Sequence, residues 1–290
     1  MDGFLCIDKP CGPSSFQMVN RIRRLLRVSR AGHAGTLDPA ASGVLIIALG
    51  SATRLLRFID SEPKTYSFGI QFGTQTDTLD SEGQVTCSGG PIPDRSSIEN
   101  AVSELTGDQL QVPPDYSAVK INGVRAYKMA REGKKLSLQA RPVKIHSFEI
   151  LSYDSLTGTG ELKVCCTGGT YVRSIVRDLS LKTGTFGYAT SIRRLGSGRF
   201  TVDNSVAPQN LEMSADYIIS PSELFRSSPS FQVPSSKKAG ILNGIDIDIG
   251  KESDSEVIFA YCEDRLIAVL KRKTATVFHP VVVLSYGVEE

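Results

Sequence analysis

The chain has 290 residues, 40% of them hydrophobic and 22% charged, with a formal net charge of +2, a balance that fits a globular protein with one large core and a second small domain. No apolar run approaches the roughly 18 residues of a membrane span, and Met1-Asp2-Gly3-Phe4 opens neither a basic region nor a long apolar segment, so no membrane association, no signal peptide and a cytoplasmic location are expected. Cys6, Cys11, Cys87, Cys165, Cys166 and Cys262 form no C-x-x-C pair and His33, His146 and His279 lie far apart, which excludes zinc-ligand spacing and predicts free thiols and no metal.

Phe4-Leu5-Cys6-Ile7 predicts a short strand ending at Lys9-Pro10. Ser14 or Ser15 is placed to cap a helix from Phe16 to Val28, in which Phe16, Val19, Ile22, Leu25 and Leu26 recur at helical spacing. Arg21, Arg23, Arg24, Arg27 and Arg30 fall within ten positions that hold no acid; they are either a solvated face or a contact for an anion such as RNA phosphate. Next comes Gly32-His33-Ala34-Gly35-Thr36-Leu37-Asp38-Pro39-Ala40-Ala41-Ser42-Gly43, running into the apolar Val44–Leu49. Glycines permit sharp turns, and Pro39 fixes the bend after Asp38, so this carboxylate is expected on a shaped loop propped against a buried strand. By itself Asp38 reads as a helix cap, a metal ligand or a nucleophile; the metal reading lacks other acids at ligand spacing.

A short helix is predicted around Thr53–Ile59. Tyr66, Phe68, Ile70 and Phe72 alternate with Ser67, Gly69, Gln71 and Gly73, the period of a half-buried strand. Ser96 or Ser97 would cap a helix through Ile98, Ala101, Val102 and Leu105, closed by Gly107. After the rigid Pro113-Pro114-Asp115-Tyr116-Ser117 loop, Lys120, Arg125, Lys128, Arg131, Lys134 and Lys135, with Tyr116 and Tyr127 interleaved, suit RNA, whose phosphates take charge and whose bases stack on rings. Strands follow at Val143–Tyr153 and Gly160–Cys166, then a helix from Thr170-Tyr171 to Lys182, ended by Gly184. Ser214–Ser236 reads as a Ser/Pro-rich linker, and Ile241–Ile249, Val257–Tyr261, Leu266–Leu270 and Val281–Leu284 as short strands of a small β module. From about residue 228 there are seven basic and nine acidic residues, so the positive balance lies upstream.

Six segments, in order and spacing, resemble the TruB family of pseudouridine synthases: Lys9-Pro10-Cys11-Gly12-Pro13-Ser14-Ser15, Gly32–Gly43, Lys64-Thr65-Tyr66, Thr76-Asp77-Thr78-Leu79-Asp80, Gly169-Thr170-Tyr171-Val172-Arg173-Ser174 and Ile192-Arg193-Arg194-Leu195. The resemblance covers residues 3–200; the tail is a weaker match to that family's PUA-type domain. It implies an α+β fold: a pseudouridine synthase catalytic domain over residues 1–225, with a curved, largely antiparallel mixed sheet flanked by helices and a basic RNA-binding insert at about 110–140. A small β-rich PUA-like domain would follow over 226–290.

The implied function is isomerisation of uridine to pseudouridine at position 55 in the T-loop of tRNA, by base flipping and a C1′-to-C5 rearrangement. No cofactor is implied, and the T-arm stem-loop of tRNA would be the partner of a monomer without an obligate protein partner. By the same resemblance Asp38 is the nucleophile or base beside the sugar, and Arg173 its charge partner. Tyr66 stacks on the target base and assists proton removal from C5, and Tyr171 and Ile192 line the uracil pocket. His33 fills the space left by the flipped base, Asp80 contacts the base or orders the site, and Lys9 and Pro10 back the loop. Arg23, Arg27, Lys120 and Arg125 are expected on phosphate. Two other readings share these motifs or this charge: the catalytic subunit of a guide-RNA pseudouridylation complex, and a tRNA-folding chaperone acting by binding alone.

Overall fold

The computed structural model describes residues 1–284 apart from 118, 122, 134–135 and 214–216. Lys134 and Lys135, part of the expected basic stretch, therefore lie outside the described residues, as does the start of the expected linker.

The first half alternates strands and helices: β1 (Gly3–Lys9), α1 (Ser15–Leu25), β2 (Ala31–Ala34), β3 (Ala41–Leu49), a 3₁₀ turn over Gly50–Phe58, β4 (Lys64–Phe72), β5 (Thr74–Thr76), β6 (Val85–Ser88), α2 (Arg95–Leu105) and β7 (Gly107–Gln111). A small hairpin, β8 (Lys120–Ile121) and β9 (Val124–Arg125), leads into α3 (Ala126–Arg131). Then come β10 (Arg141–Asp154), β11 (Thr159–Cys166), α4 (Val172–Lys182), β12 (Gly187–Ser197) and β13 (Phe200–Thr201). Among the described residues these build a mixed sheet in the order β1-β3-β12-β4-β11-β10-β7, with β2 added on β3 and β13 on β12. Its pairs are antiparallel except β3 with β12, the largely antiparallel sheet expected.

β1 and β3 are buried on both faces, which is why their sequences are continuous apolar runs. Alternate residues serve two cores. Leu5, Ile7, Leu45 and Ile47 pack with Met18, Ile22 and the α4 residues Ile175 and Leu179. Phe4, Cys6, Val44 and Ile46 pack with Phe225, Phe259, Leu266 and Val269. The second set comes from α5 (Pro221–Leu224), β14 (Ser230–Gln232), α6 (Ser235–Leu242), β15 (Ile247–Asp248), β16 (Val257–Cys262), β17 (Arg265–Arg272) and β18 (Val277–Val283), or from the turns between them. The five strands form a second sheet, β14-β16-β17-β18-β15.

The structure corrects several expectations. Ser14 caps α1 through a capping box with Gln17, but the helix stops at Leu25 because Arg27 takes a left-handed φ of 53°. Phe16 does not enter the core; it is 69% exposed, and Met18 fills the buried position. Asp94, two residues earlier than expected, caps α2 by accepting from Ser97 N at 2.7 Å. The described part of Ser214–Ser236 is not a linker: Ile219 pairs with Phe4, and Leu224 and Phe225 are buried. Ile241 lies in α6, not in a strand.

Candidate active site

Asp38 stands on the turn from β2 to β3. Three buried groups hold that turn from different sides. The hydroxyl of Ser15, at the start of α1, donates to Leu37 O and accepts from Leu37 N, both at 2.8 Å. Lys9 is fully enclosed, and its Nζ donates to the carbonyls of Pro10, Pro13 and Pro39 at 2.9, 2.8 and 3.3 Å. Arg194, also enclosed, donates through Nε to Val44 O at 2.7 Å, Nη2 to Gly35 O at 3.0 Å and Nη1 to Thr36 O at 3.5 Å. Neither cation has a carboxylate partner within ion-pair distance among the described residues; carbonyl dipoles spread their charge, and removing either would leave several carbonyls unsatisfied.

Arg173, in the first turn of α4 and 4% exposed, supplies the counter-charge. Its Nη2 is 2.6 Å from Asp38 Oδ2, a short charge-assisted contact. It also donates to Tyr116 O and Thr78 O, each at 2.9 Å. On its other side Asp80 Oδ2 lies 3.6 Å from Nε, while Asp80 Oδ1 accepts from the Thr78 hydroxyl at 2.6 Å and Glu82 N at 3.1 Å. The guanidinium is thus fixed by two backbone carbonyls and two carboxylates. Asp38 keeps 41% of its side chain exposed, so its free edge faces a pocket.

That pocket has a volume of about 300 Å³, with Asp38, Lys64, Tyr66, Tyr171, Arg173 and Ile192 in its wall. This is the small end of the range for ligand cavities and fits one flat heterocycle with its sugar. Tyr66 and Lys64 lie on one face of β4 by the two-residue period. Burial raises the Tyr66 phenol above its ordinary range, and the Arg194 guanidinium, hydrogen-bonded to it, works against that shift. Burial also raises Tyr171 and lowers Lys64, with Arg194 lowering Lys64 further. Tyr171 is held in place by Gln111, whose amide oxygen accepts from Tyr171 N at 2.8 Å and whose amide nitrogen donates to Tyr171 O at 3.2 Å.

Of the residues expected from sequence, Asp38, Tyr66, Tyr171, Arg173 and Ile192 meet in this pocket. Asp80 is outside the wall and braces Arg173. Lys9 lies behind the loop, its ammonium enclosed and spent on carbonyls, with no surface for a substrate. His33 lies on β2 opposite Ile47 and is not part of the pocket wall; burial keeps its imidazole below its ordinary value, and its Nδ1 is buried without a hydrogen-bond partner among the described residues. Arg23 and Arg27 lie at the end of α1, and Lys120 and Arg125 are exposed on the β8–β9 hairpin. Sequence reasoning gave Arg194, Lys64 and Gln111 no role. For Arg194 a signal existed: two residues after Ile192 on one strand, it must share the pocket-wall side. Among the described residues no group of three or more His, Cys, Asp or Glu could hold a metal, and no helix is long and apolar enough to cross a membrane.

Residues 23–172 match the TruB family pseudouridylate synthase N-terminal domain. The chain is 38% identical over 253 residues to a protein of Wolbachia pipientis named tRNA pseudouridine synthase B, covering 86% of this chain and 72% of that one. It is 37% identical over 267 residues to the Aquifex aeolicus protein of the same name, covering 91% and 93%. Among solved structures, it resembles a chain of an H/ACA RNP bound to a substrate RNA containing 2′-deoxyuridine, at a TM-score of 0.71 and 20% identity, over 99% of this chain and 86% of that one. That likeness speaks to the fold.

Proposed function

Because the chain belongs to the TruB family of pseudouridylate synthases, we propose that it isomerises uridine to pseudouridine in tRNA, with the pocket around Asp38 as the reaction site. The observation that carries this reading is the Asp38–Arg173 contact of 2.6 Å at the wall of a nucleoside-sized pocket. The reaction breaks the C1′–N1 bond, forms a C1′–C5 bond, removes the C5 proton and leaves N1 protonated; it is redox-neutral. It needs an ionised carboxylate beside the sugar, either to attack C1′ or to take the C2′ proton. Arg173 pairs with that carboxylate and aims it. Tyr66 offers a ring face to the uracil and a phenol for the C5 proton, while Tyr171 and Ile192 close the pocket around a flipped base.

The target within this reading is the T-arm, at position 55 of the T-loop. His33, on β2 ahead of the Asp38 loop, takes the place of the flipped base. Arg23, Arg27, Lys120 and Arg125 contact phosphate, and the second sheet is a PUA-like unit over 226–290 following a catalytic unit over 1–225. Asp38→Asn is the deciding variant. Mapping of pseudouridine in a tRNA transcript is expected to show product with the native chain, none with Asp38→Asn, and tRNA binding within a few-fold of native for both. Product at the native rate from Asp38→Asn would remove the aspartate from the chemistry. A second reading, carried by the motifs that guide-RNA pseudouridylation subunits share, is a catalytic subunit that needs a guide RNA; product on bare tRNA with the chain alone rules it out.

A further inference from the structure

We propose that the outer face of α1 is a second RNA-contact surface, which takes an unpaired nucleotide next to the target uridine with its base on the Phe16 ring and its phosphates on Arg21 and Arg24. The inference rests on the RNA-directed function proposed above.

Three observations support it. Phe16 is 69% exposed on a helix whose Met18, Val19 and Ile22 are buried; with Gln17, Asn20, Arg21, Arg24 and Leu25 it lines an open groove. Between Lys9 and Leu37 the chain has no acidic residue. Among the described residues none of Arg21, Arg23, Arg24, Arg27 and Arg30 forms an ion pair, and Arg23 Nε is buried without a partner. Five guanidinium groups without counter-charges suit a polyanion, and an aromatic ring among them suits a base rather than an acidic protein surface. Finally, the first turn of α1 is tied to the loop that carries Asp38. Ser15 ties the first turn of α1 to Leu37 through both of its hydroxyl bonds, one residue before Asp38. An RNA strand that places a nucleotide on Asp38 passes that turn, where Phe16 projects.

The test is steady-state kinetics on a tRNA transcript, with direct titration of the same tRNA to separate binding from chemistry. Phe16→Ala is expected to raise both KM and Kd about ten-fold, the loss of one stacked base, with kcat near the native value, and Phe16→Trp to restore both. The Arg21→Gln/Arg24→Gln double variant is expected to flatten the slope of log Kd against log salt by about 1.4–1.8 units, as for two lost phosphate contacts. Native KM and Kd in Phe16→Ala, or an unchanged salt slope in the double variant, would overturn the proposal. If the native chain makes no pseudouridine, the enzyme reading fails, and the titrations still decide the α1 surface on their own. These side chains are exposed, so the variants are expected to fold.

Discussion

The Asp38–Arg173 pair depends on geometry as much as on charge. Arg173 meets Asp38, Tyr116 O and Thr78 O through its two terminal nitrogens, with Asp80 beside Nε. A lysine carries the same charge but lacks the planar fork and cannot span those partners. Arg173→Lys is therefore expected to lower kcat by roughly 100-fold, the order of losing one oriented electrostatic group, while Kd for tRNA stays within a few-fold; single-turnover kinetics beside a binding titration would check the split. The buried thiols give a prediction in pH. Burial pushes Cys6 up to about 12 and Cys166 up to about 11 from an ordinary 9.0. Between pH 9 and those values the unfolded chain releases protons that the folded chain keeps, so stability falls as pH rises. Urea unfolding at pH 8 and pH 10.5 is expected to show a smaller loss for the Cys6→Ala/Cys166→Ala variant than for the native chain. At this scale the sequence announces Asp38, Arg173 and Tyr66, which stand in motifs and meet at one pocket. Lys9 and Arg194 act on carbonyls from segments far along the chain; the strand period puts Arg194 on the pocket side, but no local pattern names the carbonyls it meets.

Elements were legible where a period existed. The alternation at Tyr66–Phe72 became β4, and Gly184 at φ 73° closes the segment after α4 as expected. The length of α1 was not legible, because its apolar pattern runs on past Leu25 while the backbone turns at Arg27. Phe16 fits the helical period yet projects outward, so periodicity located the face only approximately. Gly43 shows how an element contact dictates a residue. It opposes Arg194 in the parallel β3–β12 pair, has φ of 100°, and a Cβ there would strike the Arg194 carbonyl oxygen. Because the obstacle is backbone, relaxation must shift one strand, and Arg194 is the residue holding Gly35 and Thr36. Gly43→Ala is expected to cost about 2–4 kcal/mol of stability, read from urea unfolding, and to lower activity in the fraction that remains folded.

For the whole molecule the governing fact is that β1 and β3 belong to two cores at once. An apolar run such as Phe4-Leu5-Cys6-Ile7 shows that a strand is buried, yet its lack of period hides which residue faces which layer. The sequence alone suggested a small β module beyond a linker; instead Phe225, just after α5, stacks on Phe259 of β16 at 4.5 Å and meets Phe4 of β1 edge-on at 6.0 Å. Phe58 meets the same Phe259 from the 3₁₀ turn at 6.1 Å. Phe259 in the second sheet thus meets two rings, Phe225 and Phe58, and Phe225 carries the contact on to Phe4 of β1. Phe259→Ala removes a buried aromatic side chain, at about 3–5 kcal/mol. Because the layer is shared, that loss is expected to lower the midpoint of the entire unfolding transition while leaving it single, with fluorescence and circular dichroism coincident. If the second sheet were instead an independent unit, Phe259→Ala would split calorimetric unfolding into two transitions, and only the lower one would move from its native position.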